Sequence, residues 1–180
     1  MAVRSLNHAV LFVSDVERSA HFYCAVIGFE QIGPTHAGVA FLRGKQSGND
    51  HDLGLFQASS SSAGKGAVGL FHLAWEMNTL QDLADAKVRL DRHGALTGAA
   101  NHASTKALYG VDPDGIEFEL TWLVPDALVD GELVPGVEHT RALDLDAEIR
   151  RYGSGTPGGP RTDRAMMTRL IDRMAAGTSQ

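Results

Sequence analysis

The sequence predicts an α+β fold: two βαβββ modules in tandem, with curved mixed sheets around one cleft, then an irregular segment and a C-terminal helix. Three observations point there. The order strand, helix, several short strands is written twice. Each copy opens on a strand with an early histidine, His8 in "LNHAVLFV" and His72 in "LFHLAWEM". A Ser/Gly-rich run, "ASSSSAGKGAVG", parts the copies and reads as a flexible connector. The expected organisation is a paired domain over 1–124, with modules at about 4–60 and 68–124, and an extension over 125–180.

Residues 6–13 alternate as a strand would. Ser14 or Asp15 caps a helix running to about Ala25, whose buried face is Val16, Ala20, Phe22, Tyr23 and Val26, and Gly28 ends it. "GVAFLRG" and "HDLGLFQ" are the closing strands of the first module. In the second, Asn78 or Thr79 caps a helix with Leu80, Leu83, Ala84, Val88 and Leu90 at helical spacing, and Gly94 ends it. "TKALYGVD" and "IEFELTW" close that module, joined through the turn "DPDG".

Composition excludes several classes. Apolar content of 43% over 180 residues supports a globular core, and a net charge of -6 offers no basic face for nucleic acid. Cys24 is the single cysteine, so there is no intramolecular disulfide framework. No apolar run reaches membrane-span length and no signal-peptide pattern opens the chain, so a cytoplasmic location is expected. Cys24 reads as a packing residue. His21, His36, His93 and His139 read as surface residues.

The repeat selects a ligand set. The step from His72 to Glu119, applied to His8, lands on Leu55. Alternation in "IEFEL" sends Glu117 and Glu119 to one face, and the repeat offset picks Glu119 as the inner carboxylate, with Glu117 nearer the rim. His8, His72 and Glu119 then form two imidazoles and one carboxylate with coordination positions left open, the donor set expected for non-haem Fe(II) oxygen chemistry.

With these motifs, "HAVLFV", "FYCAVIGFE", "FHLAWEM" and "DPDGIEFEL", the chain resembles the vicinal oxygen chelate superfamily of glyoxalases, fosfomycin-modifying enzymes, bleomycin-binding proteins and extradiol dioxygenases. The resemblance covers about Leu6 to Trp122. "HDLGLF" with His51, and "HASTKALYGVDPDGIEFE" with His102, Tyr109 and Glu119 in order, look most like the small ring-cleaving enzymes of catechols and 2,3-dihydroxybiphenyl-type diols. The related pattern often has Asp before the histidine, where this chain has Asn101. The resemblance implies an Fe(II)-dependent extradiol dioxygenase, with Mn(II) the alternative metal, taking a catechol-type diol and O2. It implies that His51 is the acid/base near O2, that Tyr109 hydrogen-bonds a substrate oxygen, and that His102 orients that network. The rivals on the same scaffold are a glyoxalase-like isomerase or lyase, which would want a carboxylate near Leu55, and a non-catalytic antibiotic-binding protein.

The extension is rich in Pro and Gly and should wrap over the body, with a short helix near Asp144–Tyr152. "TDRAMMTRLIDRMAA" reads as an amphipathic helix over about 162–176 with a methionine-rich stripe. A homodimer is expected, because members of the resembled superfamily are often dimers.

Overall fold

The computed structural model describes residues 5–59, 69–129, 140–159 and Thr168. It divides into two compact units. One comprises Met1–Phe71, Arg89–Ala95 and Val111–Glu117; the other comprises His72–Val88, Leu96–Gly110 and Phe118–Gln180. The elements run β1 (Ala9–Val13), α1 (Val16–Phe22), β2 (Glu30–Gln31), β3 (Val39–Arg43) and β4 (Leu53–Gln57). There follow β5 (Leu73–Glu76), α2 (Leu80–Arg92), β6 (Leu96–Asn101), β7 (Thr105–Val111) and β8 (Glu117–Leu123). The extension adds α3 (Asp126–Val129), β9 (Arg141–Ala142) and α4 (Leu145–Tyr152). The expected βαβββ pattern is thus present twice, in two mixed sheets.

The first unit holds the sheet β1-β4-β3-β2, with β1 and β4 parallel and the other pairs antiparallel. Asp15 caps α1 by accepting from the Arg18 amide. The helix then widens into a π-helical stretch, Tyr23–Ile27, and stops at Gly28 with φ 109°. Val16, Ala20, Phe22, Tyr23 and Val26 are all buried, as their spacing predicts, with Leu11, Val13, Leu42, Leu53 and Leu55 from the sheet. Burying a side chain of this size is worth about 1.5–3 kcal/mol. The "DPDG" turn is tied to α1. Asp114 accepts from the Ser14 amide at 2.8 Å, the Ser14 hydroxyl at 2.5 Å and Arg18 Nη2 at 2.6 Å. Tyr23 donates its hydroxyl to buried Asp112 at 3.2 Å.

The second unit holds the sheet β5-β8-β7-β6-β9, with β5 and β8 parallel. Thr79 caps α2 by accepting from the Asp82 amide at 3.1 Å. Leu80, Leu83 and Ala86 are buried in this unit, whereas Val88 is 48% exposed. The inward stripe runs through Ala86 instead of Val88, a correction to the spacing read from sequence. Three strands escaped that reading. β6, "LTGAAN", is small and polar where strand signals are apolar and β-branched, and β2 and β9 are two residues long.

Residues 154–158 of the extension bond to the second unit. Ser154 O accepts from the Gln81 amide at 2.9 Å, and Gly158 donates to Asn78 O at 2.7 Å, both at the start of α2. Trp122 is fully buried and donates Nε1–H to Thr156 O at 3.1 Å. α4 lies where a short helix is expected, and Asp144 caps it by accepting from the Ala147 amide. The expected helix over 162–176 lies outside the described residues except for Thr168, which is helical, and His139 lies outside them too. No helix of the described residues is long and apolar enough to cross a membrane.

Candidate functional site

His8 and His72 occupy matched places, each one residue before the first strand of its module. In the second unit, strand pairing sets Ala74 beside Glu119. That registration brings His72 Nε2 to 3.2 Å from Glu119 Oε2, with both side chains only partly exposed. In the first unit Val10 pairs with Gly54, so the position matching Glu119 is Gly54. The sequence offset landed on Leu55, which is fully buried on the opposite, core-facing side. The first module is one residue shorter between the histidine and the last strand, and a fixed step could not register that. A Cβ at Gly54 would stand 3.3 Å from Val10 Cγ2 and 3.4 Å from the Phe56 ring.

Beside the His72–Glu119 pair, Tyr109 sits on β7 with its ring centroid 6.1 Å from that of His72. Its hydroxyl lies 2.7 Å from His102 Nε2, and His102 Nδ1 lies 3.1 Å from Thr140 Oγ1. Burial raises the Tyr109 phenol above its ordinary pKa, and the Glu119 carboxylate adds to the shift. The hydroxyl therefore keeps its proton at neutral pH.

In the first unit His8 Nδ1 lies 2.8 Å from Asn7 Oδ1. A proton on Nδ1 satisfies that amide oxygen and leaves Nε2 as the lone-pair donor. The His51 ring packs 4.5 Å from the His8 ring and 4.9 Å from Phe41, centroid to centroid. The next residue, Asp52, is anchored by a network of donors. The Asp52 carboxylate accepts from the Gly44 amide, the Ser47 hydroxyl and the Asn49 amide group, while Asn49 also donates to Asn7 O. Burial alone would push the Asp52 carboxyl up; these donors outweigh it and hold it below the usual range. Val10, Phe12 and Phe41 are exposed on the same sheet, and Phe56 stacks edge-to-face with Phe12 and Phe41.

The donor chemistry can be tested against a divalent metal. Metal–nitrogen and metal–oxygen bonds of about 2.0–2.2 Å place two neighbouring donors about 3 Å apart. His72 and Glu119 meet that separation, so this pair fits as two ligands of one cation. Among the described residues, no group of three or more His, Cys, Asp or Glu gathers as a metal site. Each unit by itself carries part of the expected set: His8 and His51 in one, and His72, Glu119, Tyr109 and His102 in the other. Glu117 lies two residues before Glu119 on β8 and is half-buried. His21, His36 and His93 are exposed, as expected of surface residues. Burial raises the Cys24 thiol, which fits packing better than nucleophilic work.

The profile of the Glyoxalase/Bleomycin resistance protein/Dioxygenase superfamily matches residues 5–120. The chain belongs to this superfamily. Catechol-2,3-dioxygenase of Bacillus subtilis (strain 168) is 31% identical over 119 residues, which are 64% of this chain and 40% of that protein. Biphenyl-2,3-diol 1,2-dioxygenase 2 of Rhodococcus globerulus is 31% identical over 122 residues, 66% of this chain and 63% of that one. The match thus spans less than two thirds of either relative's length. Among solved structures, the glyoxylase/bleomycin resistance protein/dioxygenase domain from Frankia sp. EAN1pec superposes with a TM-score of 0.54 at 21% identity, covering 67% of this chain and 98% of its own. That likeness is one of fold, and a superfamily fold hosts several chemistries.

Sequence reasoning took Asn101 only as a departure from the related pattern and missed three residues around this site: Lys106, Thr140 and Glu148. Of these, Lys106 alone left a signal, a charge in the apolar run "TKALYGV" just before buried Ala107 and Leu108. Its partner Glu148 is far off in sequence, so the pairing was not legible.

Proposed function

We propose that the protein is an Fe(II)-dependent extradiol dioxygenase that cleaves the ring of a catechol-type diol with O2. The observation that carries this reading is the His72–Glu119 pair with Tyr109, hydrogen-bonded to His102, next to it. The two relatives named for catechol and biphenyl-2,3-diol support the substrate class. Gly54, where a glyoxalase-type site would want a carboxylate, argues against the isomerase reading.

On this reading His8, His72 and Glu119 hold the metal. When bound, it supplies Lewis acidity and a redox path between an electron-rich diol and O2. Tyr109, protonated at neutral pH, hydrogen-bonds a diol oxygen and fixes the ring's orientation. His102 holds the Tyr109 hydroxyl in place through Nε2. His51, pinned between His8 and Phe41, takes a proton from the diol and returns one as the ring opens. Phe12, Phe41 and Phe56 offer the aromatic substrate edge-to-face partners. The enzyme would work in the cytoplasm as a homodimer, which light scattering of the full chain tests.

Protein loaded anaerobically with Fe(II) and then mixed with O2 and catechol or 2,3-dihydroxybiphenyl should consume O2 and form a yellow ring-fission product. Absence of both across a catechol panel, with iron bound and reduced, refutes the reading. Turnover of methylglyoxal with glutathione under those conditions would favour the isomerase.

A further inference from the structure

The turn that carries His102 is built around a buried charge. Lys106 is fully buried, and its Nζ lies 3.0 Å from Asn101 Oδ1, 3.0 Å from Ala103 O and 3.5 Å from Glu148 Oε2. Asn101, 1% exposed, donates Nδ2–H to Glu148 Oε1 at 2.9 Å. Its Oδ1 also accepts from the Ala103 amide at 2.9 Å. Ala103 has φ 59°, a left-handed conformation rare for a residue with a side chain. A single amide side chain therefore joins the turn's backbone, a buried ammonium and a carboxylate on α4. Residue 102 stands between the two residues so fixed. Its ring is held at both nitrogens, by Tyr109 at Nε2 and by Thr140 at Nδ1.

Thr140 and Glu148 both lie beyond the residues that match the superfamily, which end at 120. A buried ion pair is poor value as a stabiliser, because desolvation offsets most of the attraction, and its best-attested use is to select one arrangement over others. The selected arrangement here is the turn that aims His102 at Tyr109.

We propose that residues 140–152 form a clamp that positions His102 against Tyr109, with Thr140, Glu148, Asn101 and Lys106 as positioning residues. The proposal rests on the ring-cleavage reading for its kinetic effect, but its geometry stands without it. Thr140 orients the imidazole directly. Glu148 and Lys106 hold the turn from behind.

The test uses full-length protein labelled with 15N-histidine, the His102 ring signals being assigned with His102→Gln. In wild type the two ring nitrogens should report one tautomer. Thr140→Val and Glu148→Ala should each give an averaged pair of signals, and Thr140→Ser should restore the single tautomer. With Fe(II) and 2,3-dihydroxybiphenyl, Thr140→Val should lower kcat by about three- to ten-fold, the value of one neutral hydrogen bond, with metal content unchanged. Should Glu148→Ala fail to fold, Thr140→Val and its Ser rescue still decide. Unchanged His102 signals in Thr140→Val overturn the clamp, even if the melting temperature falls. If wild type cleaves no diol yet the His102 signals respond as stated, the clamp stands and the ring-cleavage reading fails.

Discussion

Removing one carboxylate from β8 should separate a metal ligand from its neighbour. Glu119 Oε2 lies 3.2 Å from His72 Nε2, the separation of two donors on one cation, and β5–β8 pairing fixes it. Glu117 sits two residues earlier, outside that pairing. Changing a group that only supports a ligand costs about 10–100-fold in metal affinity. Losing a ligand outright should exceed that range. Glu119→Ala should therefore weaken Fe(II) or Mn(II) binding by more than about 100-fold and come off a desalting column nearly metal-free. Glu117→Ala should retain metal at wild-type stoichiometry. Anaerobic calorimetric titration gives the affinities, and elemental analysis gives the occupancy. Circular dichroism should show both variants folded, since neither carboxylate belongs to the buried core. Equal metal loss in the two variants, or loss confined to Glu117→Ala, would refute the assignment. It would mean that strand register is no guide to the ligand here.

Four further outcomes are expected. His51→Ala should keep metal and lower kcat by about 10²–10⁴-fold, as for a positioned acid/base; metal loss matching that of His8→Ala would instead make His51 a ligand. Tyr109→Phe should keep metal and lower kcat/KM by about ten- to a hundred-fold, the value of a hydrogen bond to a charged oxygen, measured by steady-state O2 uptake. Asp114→Asn should destabilise the first unit by about 1–3 kcal/mol at neutral pH, the lower end applying because Arg18 is half-exposed. Burial alone would raise that carboxyl, but Ser14 and Arg18 hold it low, so its contribution is present above about pH 4 and lost as pH falls through the depressed value. The melting-temperature gap between wild type and Asp114→Asn should thus close in acid; a gap independent of pH would refute it. Burial raises Asp112 and the Asp114 carboxylate adds to that shift, so Asp114→Asn removes the added part and the opposite trend of Asp112 cancels only for the part due to burial. Gly158→Ala should cost about 1–3 kcal/mol by overpacking, because its Cβ would meet Trp122 Cδ1 at 2.9 Å and Leu123 O at 3.2 Å; an unshifted melting curve would refute that.

Periodicity reached what is local. The buried face of α1, the cap at Asp15, the turn at Gly28 and the short helix near Asp144–Tyr152 follow from residues within a few positions of one another. The choice of Glu119 over Glu117 needed only a repeat and an alternation, and the metal titration above tests it; Glu119 lies 3.2 Å from His72. Register across a unit was less legible. A one-residue difference between modules moved the fourth position from Leu55 to Gly54, and no pattern in "LGLFQ" announces that. Least legible were partnerships over long separations. Asn101 reads in sequence as a departure from the related pattern beside His102, yet it is a buried node joined to Glu148. Val88 misled because helical spacing names a stripe without saying which edge of it the neighbouring sheet covers.

The seal over Trp122 sets an order of events during synthesis. Its indole is fully buried, with Thr156 O taking its N–H and the Tyr152 ring 5.4 Å from its own. Those partners leave the ribosome some thirty residues after the tryptophan does. Until then the end of β8 has a large apolar ring open to water, an exposure that invites chaperones and self-association. A chain cut at the end of β8 would stay in that state. The Trp122 seal therefore closes from the C-terminal side, and indole fluorescence of a Trp75→Phe chain during translation should turn from wet to dry only when Gly158 and Gly159 emerge.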